Sequence, residues 1–131
     1  MLIQKFGGTS LADKTGFIAA AGIISKAARD EQVVVVLSAM FGVTDLLESA
    51  IKAAVEGGDF KTVLESLNNK EQGILQAMQA SGWDCPLASE FSQASQQRLK
   101  ARLEGVSLLE QCPPAVQAEI LSAGEGFSSR L

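Results

Sequence analysis

The chain has 131 residues, of which 47% are hydrophobic and 20% charged, with a formal net charge of −4. That is enough length and apolar content for one packed domain, and it excludes a disordered chain. The acidic balance argues against binding nucleic acid or anionic lipid through bulk charge, and no apolar run reaches the ~18 residues of a membrane span.

Leu2 to Phe6 is a short apolar run ending at Gly7-Gly8 and reads as a strand. From Leu11 the pattern turns helical, with Phe17, Ile18, Ala21, Ile24 and Ala28 spaced by threes and fours as a buried face. Val33 to Leu37 is a continuous β-branched run, the pattern of a strand covered on both faces in a parallel sheet. Strand, helix and strand make a right-handed βαβ unit.

A turn around Gly42 leads to a helix bearing Leu46, Leu47, Ala50, Ile51 and Ala54, which stops at Gly57-Gly58. Asp59 is placed to cap a helix whose stripe is Phe60, Val63, Leu64, Leu67, Ile74, Leu75 and Met78. SGWDCP breaks it, and Pro86 opens a polar helix with Phe91, Leu99 and Leu103 as sparse apolar contacts, ending at Gly105. Pro113-Pro114 starts a last helix through Val116, Ile120 and Leu121 towards Phe127. Two strands beside some five helices leave a sheet with two open edges and little independent stability. The chain therefore reads as the front part of a larger α/β domain, with no second domain inside it.

The whole chain lacks histidine. Histidine-based zinc sites and Ser-His or Cys-His pairs are thus excluded, leaving carboxylates, lysine, arginine, hydroxyls and backbone for chemistry. Cys85 and Cys112 are expected as free, buried or half-buried thiols of a reducing compartment. The amino terminus lacks the apolar core of a signal peptide, so the expected location is cytoplasmic.

Three stretches carry candidate chemistry. Lys5-Phe6-Gly7-Gly8-Thr9-Ser10 places bare backbone where a strand gives way to a helix, with a lysine to balance a polyphosphate. Its spacing is neither the Walker A nor the dinucleotide pattern, and a plain glycine turn with Ser10 as a hydroxyl cap fits equally well. Ser38-Ala39-Met40-Phe41-Gly42-Val43-Thr44 follows the second strand, so both loops open on the same sheet edge, where α/β proteins collect ligands. Ser38 and Thr44 either donate to a small polar substrate or serve locally, with Thr44 as a helix cap. In Gly124-Glu125-Gly126, each glycine lowers helix propensity by ~1 kcal/mol, which calls for a packing or functional reason. Glu125 either positions a substrate amine or is an ordinary exposed helix glutamate.

In this order the three stretches resemble the aspartate kinases of the amino-acid-kinase family. KFGGTS is similar to that family's opening signature, VVVLSAMFGVTDLL to its second strand and substrate loop, and ILSAGEGFSSRL to its glycine-glutamate helix. GVSLLEQCP resembles the corresponding stretch of the bifunctional aspartokinase–homoserine dehydrogenases. The resemblance implies a three-layer αβα sandwich around a largely parallel sheet, with a helical excursion over residues 59–112. It implies phosphoryl transfer from ATP, with Mg2+, to the β-carboxylate of L-aspartate, the first step towards lysine, threonine and methionine.

Residue by residue, the resemblance implies that Lys5 contacts the transferring phosphates, catalytically, with the Gly7 and Gly8 backbone close by and Thr9 and Ser10 beside them. Ser38, Ala39 and Thr44 would line the aspartate site, and Glu125 would meet the α-ammonium group. A carboxyl half of the kinase domain is implied beyond Leu131, so the chain alone is expected to be inactive and to associate with itself. Met40-Phe41 and Gly126 depart from the usual family pattern. The alternatives are a kinase for another amino acid, or a helical interaction module whose glycine turn is structural.

Overall fold

In a computed structural model describing all of residues 1–131, Leu2–Phe6 (β1) and Val33–Leu37 (β2) form a two-stranded parallel sheet. Their register pairs Leu2 with Val33 and Phe6 with Leu37, so both strands end at the same edge. Helix α1 (Lys14–Ala27) is the crossover between them and packs on both strands. The expected α/β arrangement, a parallel sheet flanked by helices in a helix-rich chain, is what the molecule adopts.

The two faces of the sheet differ. Phe6 and Leu37 pack towards the hydrophobic core, while Ile3, Val34 and Val36 are exposed. The expectation that Val33–Leu37 is covered on both faces therefore fails within this chain. A continuous valine run reports what each face could bury, and here only one face has a helix on it.

Helix α1 also begins later than the Leu11 suggested by periodicity. Gly7 to Leu11 is spent on a turn, in which the Ser10 and Leu11 N–H groups both donate to the Gly7 carbonyl at 3.1 Å. The cap is then Asp13, whose Oδ1 accepts the Gly16 N–H at 3.0 Å. Phe17 and Ala20 are the buried residues of α1, whereas Ala28, expected on the buried face, is exposed.

Helix α2 (Val43–Val55) buries Val43, Leu47, Ala50, Ile51 and Ala54 against the hairpin of α3 (Phe60–Ala80) and α4 (Pro86–Leu109). Asp59 caps α3 as expected, accepting from the Lys61 and Thr62 N–H groups. Its end is set by Gly82 at φ +86°, with Gly82 N–H donating to the Gln79 carbonyl and Trp83 N–H to that of Met78. That pair of bonds needs a left-handed residue at position 82, which glycine supplies without a Cβ penalty.

Gly105 does not end α4. The helix continues to Leu109 and stops at Glu110, which takes the left-handed conformation itself at φ +57°. Leu103 and Val106, both buried, hold the helix through the glycine. The last helical stretch is also divided, into α5 (Pro114–Leu121) and α6 (Ala123–Ser128), with a break at Ser122, whose hydroxyl donates back to the Glu119 carbonyl.

Candidate functional site

The two strand-end loops are tied directly. The Ser38 N–H donates to the Phe6 carbonyl at 3.1 Å, extending the strand pairing, and the Phe41 N–H donates to the Leu11 carbonyl at 3.4 Å. Gly8 lies near this loop, and a methyl built on it would meet the Ala39 carbonyl oxygen at an ordinary contact distance of 3.6 Å. Gly16 is confined more tightly. Any Cβ there would overlap the Ser10 carbonyl, so the first turn of α1 presses directly on the end of the GGTS turn.

Helix α6 reaches the same place from the other side. A methyl built on Gly124 would stand 2.7 Å from the Cβ of Ala39 and 2.9 Å from Cγ1 of Val43. Ala39 is thus pressed by Gly124 and lies near Gly8, so the three stretches singled out from the sequence come together around it. The glycines flanking Glu125 have a packing reason. Gly124 admits the Ala39 loop, and Gly126 admits the Phe91 ring of α4.

The hydrogen-bonding state of these loops decides what they can do. The N–H groups of Gly7, Gly8 and Thr9 make no hydrogen bond to backbone or side chain within the chain. Three consecutive N–H donors are thus left free just after Lys5, which is exposed on β1, and donors so arranged are able to receive an anion. This differs from the expected device. The donors belong to the turn, while the α1 N-terminus lies several residues further on, with its Gly16 N–H taken by Asp13. Ser10 does not cap a helix.

Thr44 does not cap α2 either. The N-cap position is held by Gly42 at φ +82°, with no side-chain bond, a conformation that a residue with a Cβ rarely adopts. The local roles open to Ser38 and Thr44 are therefore unfilled, since neither hydroxyl makes a hydrogen bond within the chain. Ala39 is buried, and Thr44 and Glu125 are exposed, as are Thr9 and Ser10. Glu125 forms no ion pair and sits in the first turn of α6.

Both thiols are free. Burial pushes the Cys85 thiol up, with Asp84 adding to the effect, and burial likewise raises Cys112, so neither is an activated nucleophile. An apolar cavity of about 340 Å3 under α1, bounded by Phe17, Ile24, Trp83 and Leu131, contains no titratable side chain and none of the candidate residues. No helix is long and apolar enough to cross a membrane.

Sequence reading missed a buried polar cluster between α3 and α4. Glu71 is only 2% exposed, and its Oε2 accepts the hydroxyl of Ser92, itself fully buried. Burial pushes the carboxyl above the ordinary carboxylate range, against the smaller pull of Ser92. The signal was spacing. Phe60, Leu64, Leu67, Glu71, Ile74 and Met78 recur every three or four residues, so Glu71 occupies a core position on the helix.

The parallel βαβ start, the glycine turn and the glutamate-bearing helix lie in a chain that matches the amino acid kinase family. Residues 1–131 match that family throughout, and the chain belongs to it. Among curated proteins it is 30% identical over 133 residues to the bifunctional aspartokinase/homoserine dehydrogenase of Buchnera aphidicola, covering 98% of this chain and 16% of the relative. It is 28% identical over 136 residues to the lysine-sensitive aspartokinase 3 of Escherichia coli, covering all of this chain and 27% of that one. The fold matches crystalline E. coli aspartokinase III in complex with aspartate and ADP at a TM-score of 0.73 and 27% identity, over 98% of this chain and 27% of the enzyme. The chain thus spans well under a third of the length of these relatives.

Proposed function

We propose that the chain is the amino-terminal part of an aspartokinase, which phosphorylates the β-carboxylate of L-aspartate from ATP at the entry to lysine, threonine and methionine synthesis. One observation carries this reading: the glycine turn, the Ser38–Thr44 loop and the glutamate helix converge on Ala39, with free N–H donors beside Lys5. Phosphoryl transfer requires positioning and charge stabilisation more than a protein nucleophile, which suits a site with neither histidine nor an activated thiol.

In this reading, the Lys5 ammonium neutralises charge on the transferring phosphoryl group. The Gly7, Gly8 and Thr9 N–H groups receive phosphate oxygens, and Ser10 closes the turn. Ser38, Ala39 and Thr44 orient the aspartate carboxylates, and Glu125 accepts its α-ammonium group. Mg2+ bound with ATP supplies further charge neutralisation. No cluster of three or more His, Cys, Asp or Glu side chains occurs in the chain, so the metal would be held mainly by the nucleotide and by residues outside it.

The adenine grip and the cover for the open sheet face would come from the rest of the kinase domain, and a homoserine dehydrogenase unit would follow in a bifunctional parent. The sequence reading of a cytoplasmic enzyme that works as a homo-oligomer suits this chemistry. Aspartate-dependent ADP formation tests the proposal. The complete enzyme is expected to turn over, these 131 residues alone are not, and Lys5→Ala in the complete enzyme should abolish transfer. Full activity of Lys5→Ala would overturn the role given to Lys5.

A further inference from the structure

Helix α6 has six residues, too few to be stable by itself, so the direction in which it holds Glu125 comes from its packing. On one side Gly124 rests on Ala39 and Val43. On the other side stands Phe91, from the second turn of α4. Its Cζ occupies the space where a Cβ on Gly126 would be, with Cε1 and Cε2 at 3.0 and 3.1 Å from that position.

Arg130 completes the contact. Its guanidinium lies 4.3 Å from the centroid of the Phe91 ring, and its Nη1 donates to the Gly126 carbonyl at 2.7 Å. The backbone at Gly126 is thus gripped by an aromatic ring and an arginine that are also stacked on each other. The large ring at Phe91 fills what the missing side chain of Gly126 leaves.

We infer that Phe91 and Arg130 are positioning residues for Glu125, so that the α3–α4 hairpin sets the geometry of the carboxylate that receives the substrate's amine. This rests on the proposed role of Glu125. The hairpin then has a place in substrate recognition, although none of its residues would touch substrate.

Two measurements test it, one independent of the enzymatic reading. In the 131-residue chain, Phe91→Ala and Arg130→Gln should speed amide exchange over residues 124–130 about tenfold while leaving β1, β2 and α1 unchanged. Phe91→Leu should restore most of the protection. Adding Gly126→Ala to Phe91→Ala should cost little more, whereas Gly126→Ala alone should be disruptive, because the two sites share one space.

In the complete enzyme, Phe91→Ala and Arg130→Gln should raise KM for L-aspartate about tenfold with kcat within about threefold, and leave KM for ATP unaltered. Unchanged exchange in both variants would overturn the clasp. Unchanged aspartate KM with faster exchange would overturn its positioning role. A complete wild-type enzyme that ignores aspartate would refute the aspartokinase reading, and with it the positioning role, leaving the exchange data to decide the clasp alone.

Discussion

Gly124 lies against Ala39 so closely that a methyl on the glycine would stand 2.7 Å from the alanine Cβ. This contact joins the glutamate helix to the loop after β2, and through Ala39 to the glycine turn after β1. Because Ala39 is backbone-anchored beside Ser38, whose N–H is bound to Phe6, it has little room to retreat. Gly124→Ala should therefore destabilise the fold by about 1–3 kcal/mol, the usual range for overpacking a filled site. Urea unfolding would measure it, and a midpoint equal to wild type would show that the loop yields freely.

Gly105 has the opposite character. It lies inside α4, and a Cβ there would meet nothing within 4 Å. Gly105→Ala should stabilise the protein by up to about 1 kcal/mol through helix propensity alone. The same urea experiment checks it, and a loss of stability would mean that α4 needs flexibility at this point.

Glu71 gives a pH dependence of definite sign. Its carboxyl is raised by burial, it has no cationic partner, and the Gln96 amide stands beside it without a formed hydrogen bond. Below the ordinary carboxylate range, both folded and unfolded chains hold the proton and burial is not penalised. As pH rises, the unfolded chain ionises first, and stability falls until the raised value is passed. Glu71→Gln should remove this loss, matching wild type in acid and exceeding it at neutral pH. Asp59, whose carboxyl is lowered chiefly by its bond from the Thr62 hydroxyl, contributes the opposite trend in acid, equally in both proteins. Parallel urea midpoints for the two proteins across pH would contradict the account.

The open sheet face makes a separate prediction. Ile3 is 64% exposed, Val34 42% and Val36 46%, and together they form an apolar surface beside unpaired strand edges. The isolated chain should self-associate through it, and Val34→Lys with Val36→Lys should shift the population to monomer. Sedimentation at increasing concentration reads this directly. A strictly monomeric wild type would refute it.

The sequence was most legible where a pattern depended on local chemistry. β1 and β2 were bounded correctly because a valine run and a glycine pair leave few alternatives, and Asp59 and Pro86 marked their helix starts. Boundaries failed where tertiary contacts overrode propensity, as when Leu103 and Val106 carried α4 past Gly105. The three candidate loops were visible as unusual composition, but their meeting at Ala39 was not, since no linear pattern encodes a contact between residues 39 and 124. Glu71 was missed for a different reason: a stripe traced through apolar letters alone skips it, although the spacing from Leu67 to Ile74 places residue 71 in the core.

The central claim is that the turn after β1 receives phosphate. It is tested most directly by amide NMR of Gly7, Gly8 and Thr9 in this chain during titration with Mg-ATP, in wild type and in Lys5→Ala. The account predicts shifts concentrated at these three amides and Ser10, with saturation lost or greatly weakened in Lys5→Ala. Unperturbed amides at high nucleotide concentration, or identical titrations in the two proteins, would contradict it.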